Sequence, residues 1–167
     1  MSTSISDPSS LSNPDQVLVS HLDWEATIDF EKEVIFAIAT YDVKILKPGN
    51  AKELKLDTSH LNIKDVKVNG SSVAGYSLGE IKPNKTHLGQ CLSIPLTNLG
   101  ATTTSEEWKV AVHYETTQQC TATQWLPPSQ TSGKKYPYMF TQCQAIHARS
   151  LLPCMDCPGV KMTYDCR

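Results

Sequence analysis

The 167-residue sequence lacks an apolar run long enough to cross a membrane, and it lacks a long run of either charge. A membrane-spanning helix needs about 20 consecutive apolar residues, so no membrane segment is predicted. The 15 basic and 17 acidic residues give a formal net charge of −2 and are mixed along the chain. Because nucleic acids and anionic membranes attract concentrated positive charge, neither is predicted as a partner.

The amino terminus lacks a basic cluster followed by an apolar stretch, which a secretory signal requires. Residues 1–15 are instead rich in Ser, Pro, Asn and Asp, a composition typical of disordered segments. We therefore expect a disordered lead over residues 1–15, one domain over residues 16–167 and a cytoplasmic location. In a reducing cytosol the six cysteines are expected to remain free thiols.

The sequence also lacks the ligand spacing of a zinc site. None of its five histidines has a second histidine four residues away, the spacing that puts two imidazoles on one helical face. One Cys-x-x-Cys pair occurs, at Cys154 and Cys157, whereas a structural zinc site commonly uses two such clusters. The other interpretation is a buried Cys154 in a turn, with Cys157 incidental. No metal ligand and no cofactor are predicted for this chain.

No set of residues indicates nucleophilic catalysis. The Gly-x-Ser-x-Gly elbow is absent, and Cys143 with His147 lacks a residue to orient the imidazole. The sequence therefore predicts no catalytic residue.

Alternation of apolar and polar residues dominates the chain. It covers residues 18–30, 34–46 and 108–114, and shorter strand candidates lie at 53–57, 61–68, 73–81, 91–96 and 160–164. A change of parity within the 61–68 candidate predicts a β-bulge, and Asn69 with Gly70 predicts a tight hairpin turn. A further turn is predicted at residues 47–50. Only residues 141–152 permit a helix, which Pro153 would end.

These patterns predict an all-β fold, with a saddle-like or sandwich arrangement of mixed sheets and one short helical segment. The last strand candidate stops close to Arg167, so the carboxyl-terminal edge of a sheet is expected to be open, as in a truncated domain.

The run from residue 130 to residue 161 is the most informative part of the sequence, because polar side chains lie there among aromatic ones. These polar residues are Gln142, Gln144, His147, Arg149 and Asp156. The glutamine amides are either buried and bonded to the backbone, or they face a cleft and bind a peptide's amino group or carbonyl. Arg149 and Asp156 either clamp a turn as an ion pair or position a substrate, and the structural role is favoured.

Four motifs in this run carry a resemblance to a known family. They are Gln-Thr-Ser-Gly at 130–133, Pro-Tyr-x-Phe at 137–140, Gln-Cys-Gln-Ala-Ile-His at 142–147, and the spaced series Arg149, Pro153, Cys154, Asp156, Pro158 and Lys161. The run resembles the N-terminal domain of leukotriene A4 hydrolases and, more widely, of the M1 family of zinc aminopeptidases. The resemblance implies that Gln142, Cys143, Gln144 and Ala145 line the pocket for the substrate's N-terminal end, and that the spaced series is a structural motif.

Three parts of the family pattern are missing. The sequence has no His-Glu-x-x-His helix, no more distant Glu ligand paired with it, and no Gly-x-Met-Glu-Asn loop. The resemblance therefore implies a substrate-pocket domain that is catalytically incompetent alone, with zinc held in an absent catalytic domain. Its implied partners are a peptide N-terminus, a small lipid epoxide and that catalytic domain. The alternative is a non-enzymatic β-domain that binds peptide ends or another protein chain.

Overall fold

The computed structural model of the protein describes residues 7–46, 52–96 and 107–167. The strands within these ranges are β1 (Val17–Asp29), β2 (Val34–Ile45), β3 (Glu53–Thr58), β4 (Asn62–Val68), β5 (Ser71–Ser72), β6 (Ser77–Leu78), β7 (Gln90–Pro95), β8 (Glu107–Glu115), β9 (Thr123–Leu126), β10 (Tyr138–Thr141) and β11 (Thr163–Cys166). The helical elements are α1 (Ala148–Leu151) and 3-10 turns at Pro83–Leu88, Pro128–Gln130 and Ser132–Lys134.

The strands form three sheets. A six-stranded sheet has the order β11-β1-β2-β8-β4-β5, a three-stranded sheet has the order β3-β7-β6, and β9 pairs with β10 in a two-stranded ribbon. The strand β11 runs parallel to β1, whereas β1, β2, β8 and β4 pair antiparallel. The predicted all-β fold with mixed sheets and a short helix is therefore confirmed.

The core lies between the six-stranded and three-stranded sheets, whose inward side chains belong to one buried cluster. Tyr41 of β2 and Val112 of β8 come from the larger sheet, and Leu56 of β3 and Ile94 of β7 come from the smaller one. Each of these side chains is almost fully buried. Since burial of one large apolar side chain contributes about 1.5–3 kcal/mol, the alternating pattern accounts for the two-layer packing.

Several local predictions are confirmed. The three long alternating segments form β1, β2 and β8. The register of β4 against β8 shifts between Ile63 and Asp65, which is the predicted bulge. Asn69 and Gly70 have φ of 48° and 82°, the positive values that a tight hairpin turn needs. The turn predicted at residues 47–50 lies outside the described residues.

Other local predictions are wrong or shifted. The candidate at 73–81 contains only the two-residue strand β6, because Gly75 and Gly79 interrupt it. The candidate at 160–164 begins three residues later, as β11. The helix expected within 141–152 is reduced to the single turn α1.

The amino-terminal lead was expected to be disordered over residues 1–15, and this is wrong for residues 7–15. The backbone N–H of Leu11 donates to an Asp57 carboxylate oxygen at 2.6 Å. Asn13 is buried, and its amide donates to the Glu53 carbonyl at 3.0 Å. Polar composition predicted disorder, but these side-chain hydrogen bonds fix the segment against β3. The first six residues lie outside the described part of the chain.

Candidate functional site

The site segment begins where the ribbon of β9 and β10 ends. Met139 of β10 pairs with Trp125 of β9, and the last pair is Thr141 with Thr123. The chain then leaves the ribbon, with the Gln142 N–H donating to the Ala122 carbonyl at 2.9 Å. This bond fixes where the segment that carries the glutamines departs from the ribbon.

Gln142, Gln144 and Ala145 are exposed, and Cys143 is half-buried. The interpretation of the glutamines as buried amides is therefore wrong. The Gln142 side-chain oxygen accepts a hydrogen bond from the Gln144 N–H at 2.9 Å, which folds the short loop onto itself. Among the described residues, the Gln144 side-chain amide has no hydrogen-bond partner. A free amide has two donors and one acceptor oxygen available to a ligand. The peptide bond between Gln144 and Ala145 is cis.

Cys143 and His147 do not form a catalytic dyad. The His147 Nδ1 lies 2.8 Å from the Thr121 hydroxyl oxygen and is engaged there. Burial raises the pKa of the Cys143 thiol, and the Asp156 carboxylate raises it further. Because the thiolate is the nucleophilic form, a raised pKa argues against a reactive cysteine.

Arg149 follows the loop on α1 and is buried, with only 1% of its surface exposed. Its Nε donates to Asp156 Oδ2 at 2.9 Å, and its two terminal nitrogens each donate at 2.8 Å, Nη1 to the Leu88 carbonyl and Nη2 to the Ser9 carbonyl. The guanidinium therefore joins the turn at Asp156, the approach to β7 and the amino-terminal segment. These contacts support the structural interpretation of the Arg149–Asp156 pair.

Asp57, at the end of β3, is the partner that sequence reasoning missed. Its side chain is fully buried and lies 4.0 Å from Arg149 Nη1. The carboxylate accepts three hydrogen bonds, from the Ser10 hydroxyl at 2.5 Å, the Leu11 N–H at 2.6 Å and the Asp156 N–H at 3.0 Å. Asp57 falls on the polar alternation of β3 with Glu53 and Lys55, so the pattern carries no signal for its burial.

The Pro-Cys-x-Asp motif is held against β3 by its backbone. The Asp57 N–H donates to the Cys154 carbonyl at 2.7 Å, and the Cys154 N–H returns a bond to the Asp57 carbonyl at 3.1 Å. The buried Tyr41 hydroxyl donates to the Pro153 carbonyl. Pro153 is buried, whereas Pro158 and Lys161 are exposed. These bonds hold the residues that follow α1 against β3.

All six cysteines lie in the described ranges, and all are free thiols. Cys154 and Cys157 are both buried, and burial raises the pKa of each thiol. Since metal binding requires thiolates, these environments do not favour the Cys-x-x-Cys pair as a zinc site.

Exposed aromatic rings lie beside the loop. Tyr136 and Tyr138 are 72% and 57% exposed, and the Tyr138 and Phe140 rings stack with centroids 6.1 Å apart. A cavity of about 440 Å³ is lined by Leu126, Thr131, Tyr136 and Tyr138. Such amphipathic rings are common at interaction surfaces.

The chain does not contain the ligand set of a peptidase zinc site. Within the described residues, one group of possible ligands comes together, formed by His21, Asp23 and Asp165. It has one imidazole and two aspartates, whereas a His-Glu-x-x-His helix supplies two histidines. The sequence indicated no metal ligands here, because nothing in it shows that β1 and β11 are neighbours. No helix in the described ranges is long and apolar enough to span a membrane.

The chain is similar to known proteins over nearly its whole length. The profile of the Peptidase M1 N-terminal domain matches residues 19–167. Leucine aminopeptidase 2 of Ajellomyces capsulatus is 43% identical over 95% of the chain, and a leukotriene A-4 hydrolase homolog of Botryotinia fuckeliana is 40% identical over 96%. The structure of yeast LTA4 hydrolase in complex with bestatin superposes on 99% of the chain with a TM-score of 0.85 and 37% identity.

The matched region is a small part of these proteins. The chain spans 25% of the Ajellomyces protein, 24% of the Botryotinia protein and 25% of the yeast structure. The motifs at 130–161, the two-layer β fold and the matched profile all agree, and the chain belongs to the Peptidase M1 N-terminal domain family.

Proposed function

We propose that this chain is the substrate-pocket domain of a leukotriene A4 hydrolase-like zinc aminopeptidase, and that residues 142–145 bind the N-terminal end of a peptide. The observation that carries the proposal is the Gln144 side chain, which is exposed and has a free amide. The loop leads into α1, whose Arg149 is held in a buried network with Asp57 and Asp156. A polar group held on a rigid support is what specific ligand binding requires.

The amide chemistry defines what Gln144 can recognise. Its oxygen can accept a hydrogen bond from a peptide ammonium, and its nitrogen can donate to a peptide carbonyl. The resemblance implies that most M1 relatives carry Glu at this place, where a carboxylate forms a charge-assisted bond to the ammonium. A neutral glutamine forms a weaker hydrogen bond to the ammonium than a carboxylate does, so binding of a peptide end depends less on the charge of its amino group. In the hydrolase branch, an uncharged side chain at this position is also compatible with an uncharged lipid epoxide.

The chain contributes binding rather than bond cleavage. The zinc of the full-length family would supply the Lewis-acid chemistry for hydrolysis, and this sequence has no His-Glu-x-x-His motif to hold that ion. The exposed rings of Tyr136, Tyr138 and Phe140 offer a surface for the catalytic domain that carries the zinc. The proposed location of the assembled enzyme is the cytoplasm, where reducing conditions would keep the cysteines of this chain as free thiols.

The test is a chimera in which this chain replaces the matching N-terminal quarter of yeast LTA4 hydrolase. The chimera is expected to hydrolyse an aminoacyl substrate, and Gln144→Leu should lower kcat/KM. Because a neutral hydrogen bond contributes about 0.5–1.5 kcal/mol, the loss should be about two- to tenfold. Steady-state kinetics on zinc-loaded protein measures it.

The matched control is Gln118→Leu, which changes an exposed glutamine in the connection between β8 and β9. This variant should keep the kcat/KM of the parent chimera. If Gln144→Leu and Gln118→Leu behave alike while the chimera remains active, residues 142–145 do not bind substrate. An inactive chimera that folds and binds zinc would favour the non-enzymatic interaction domain instead.

A further inference from the structure

The outer face of the large sheet brings an imidazole and two carboxylates together across the β1–β11 pair. The parallel register places His21 opposite Thr163 and Asp23 opposite Asp165. Because alternate residues of a strand point to the same face, all four side chains lie on one side of the sheet. Two paired strands hold the group.

The distances in this group approach those of a bound metal ion. His21 Nε2 lies 3.7 Å from Asp23 Oδ1 and 3.5 Å from Asp165 Oδ2. All three possible ligand atoms lie within 4.8 Å of one another. A tetrahedral zinc ion with bonds of about 2.0–2.1 Å separates its ligand atoms by about 3.4 Å. The Asp165 side chain is 73% exposed and free to close the remaining gap.

The hydrogen bonds of Thr163 favour one tautomer of His21. Thr163 Oγ1 lies 3.5 Å from the Ser20 carbonyl, which can only accept, and 2.7 Å from His21 Nδ1. With its own proton directed at Ser20, the hydroxyl accepts from the Nδ1–H of the imidazole. The Nε2 lone pair then faces two carboxylate oxygens. The imidazole lone pair and the two carboxylate oxygens repel one another, and a positive charge between them relieves this repulsion. That charge is either a proton on Nε2 or a metal ion.

We propose that His21, Asp23 and Asp165 bind one divalent transition-metal cation of the zinc class. One imidazole nitrogen with two carboxylates suits zinc or cobalt better than magnesium, which prefers oxygen ligands alone. The Thr163 hydroxyl holds the other imidazole nitrogen, as an outer partner does around many metal-bound histidines. Water completes the coordination on the exposed side.

The positive charge of Arg167 opposes this ion. Its Nη2 lies 3.8 Å from Asp23 Oδ1, and its Nη1 lies 3.5 Å from Glu25 Oε1. When the cation binds, the guanidinium can keep its contact with Glu25 and release Asp23. Arg167→Gln should therefore tighten cation binding.

Cation binding would fasten β11 to β1, because each strand supplies at least one ligand. A ligand that binds only the folded state raises its stability, so zinc should raise the melting temperature.

The test titrates the whole chain with cobalt(II), followed by its visible d–d absorption, and with zinc by calorimetry. One saturable equivalent is expected, with at least about a tenfold loss of affinity in His21→Gln and in Asp165→Asn, since each removes one ligand. The control variants are Asp65→Asn, which lies on β4 toward the other edge of the sheet, and Cys166→Ser, which removes the exposed thiol beside Asp165.

Both controls should bind as the unaltered chain does. Absence of saturable binding at millimolar cobalt or zinc would overturn the proposal. Undiminished binding in a folded Asp165→Asn, checked by circular dichroism, would also overturn it, because the ion would then sit elsewhere. Loss of binding in Cys166→Ser would assign the ion to a thiolate and would contradict the site as well.

Discussion

At the scale of single residues, the Asp57 carboxylate is where the amino-terminal segment, β3 and the Pro-Cys-x-Asp turn meet. It accepts from Ser10, Leu11 and Asp156, and it lies beside the buried Arg149 guanidinium. A buried charge is tolerated because its hydrogen-bonding capacity is filled. The stability of the junction between these three parts of the chain therefore depends on this group.

The first prediction concerns that carboxylate. Asp57→Asn keeps the size of the side chain but removes the charge opposite Arg149 and places amide hydrogens where three donors converge. Arg149 keeps its pair with Asp156 at 2.9 Å, so the loss comes from buried donors left without a carboxylate acceptor, and the unfolding free energy should fall by about 1–3 kcal/mol. Urea denaturation measures the change.

Its control is Asp42→Asn, where the carboxylate pairs with Lys109 at 2.6 Å on the exposed face of the large sheet. An exposed ion pair contributes about 0–1 kcal/mol, so this variant should differ little from the unaltered chain. Equal losses in the two variants would show that the Asp57 network contributes no more than a surface pair.

At the scale of elements, the approach of β7 to β3 depends on one glycine. Gly89 has φ of 67°, and a Cβ placed on it would lie 2.1 Å from the backbone carbonyl oxygen of Thr58. The carbonyl of the preceding residue, Leu88, accepts a hydrogen bond from the Arg149 guanidinium. A side chain at position 89 must therefore separate the two strands next to the buried network.

Gly89→Ala should consequently destabilise the chain more than Gly70→Ala. Gly70 also has a positive φ, of 82°, but a Cβ there would meet no atom within 4 Å. Backbone strain alone costs about 1 kcal/mol, and displacement of backbone at position 89 should add at least about 1 kcal/mol. Thermal melts of both variants make the comparison. Equal melting temperatures would show that the backbone near Thr58 moves away from a Cβ at position 89 without loss of stability.

Elements with a long alternating pattern could be predicted from the sequence. The segments that form β1, β2 and β8 bury one face in the core, and their alternate apolar residues predict that face. The short strands β9 and β10 were missed, since four residues carry too little pattern to separate a strand from a loop. The predicted short helical segment forms as the single turn α1, and backbone bonds to β3 hold the residues after it.

At the scale of the whole molecule, the sequence located the site segment but could not show its surroundings. Motifs at 130–161 identified the glutamines and the Arg149–Asp156 pair. The third member, Asp57, lies about a hundred residues away along the chain, and its contact depends on how the sheets pack. Likewise, Asp165 meets His21 only because β11 adds to the large sheet in parallel.

The core, the buried network and the exposed loop of this chain lie within a region that spans about a quarter of its relatives. The His-Glu-x-x-His motif of the family pattern does not occur in this sequence. Recognition of a peptide's N-terminal end is therefore the contribution that we propose for this chain.

The measurement that tests this account most directly compares a peptide carrying a free amino terminus with its acetylated form. Both are assayed as competitive inhibitors of the zinc-loaded chimera, and the ratio of their inhibition constants is recorded for the parent, Gln144→Leu and Gln144→Glu. Because a carboxylate forms a charge-assisted bond with an ammonium, Gln144→Glu should increase the preference for the free amine, and Gln144→Leu should reduce it. An identical ratio in all three proteins would contradict the assignment of residues 142–145 to the peptide's N-terminal end.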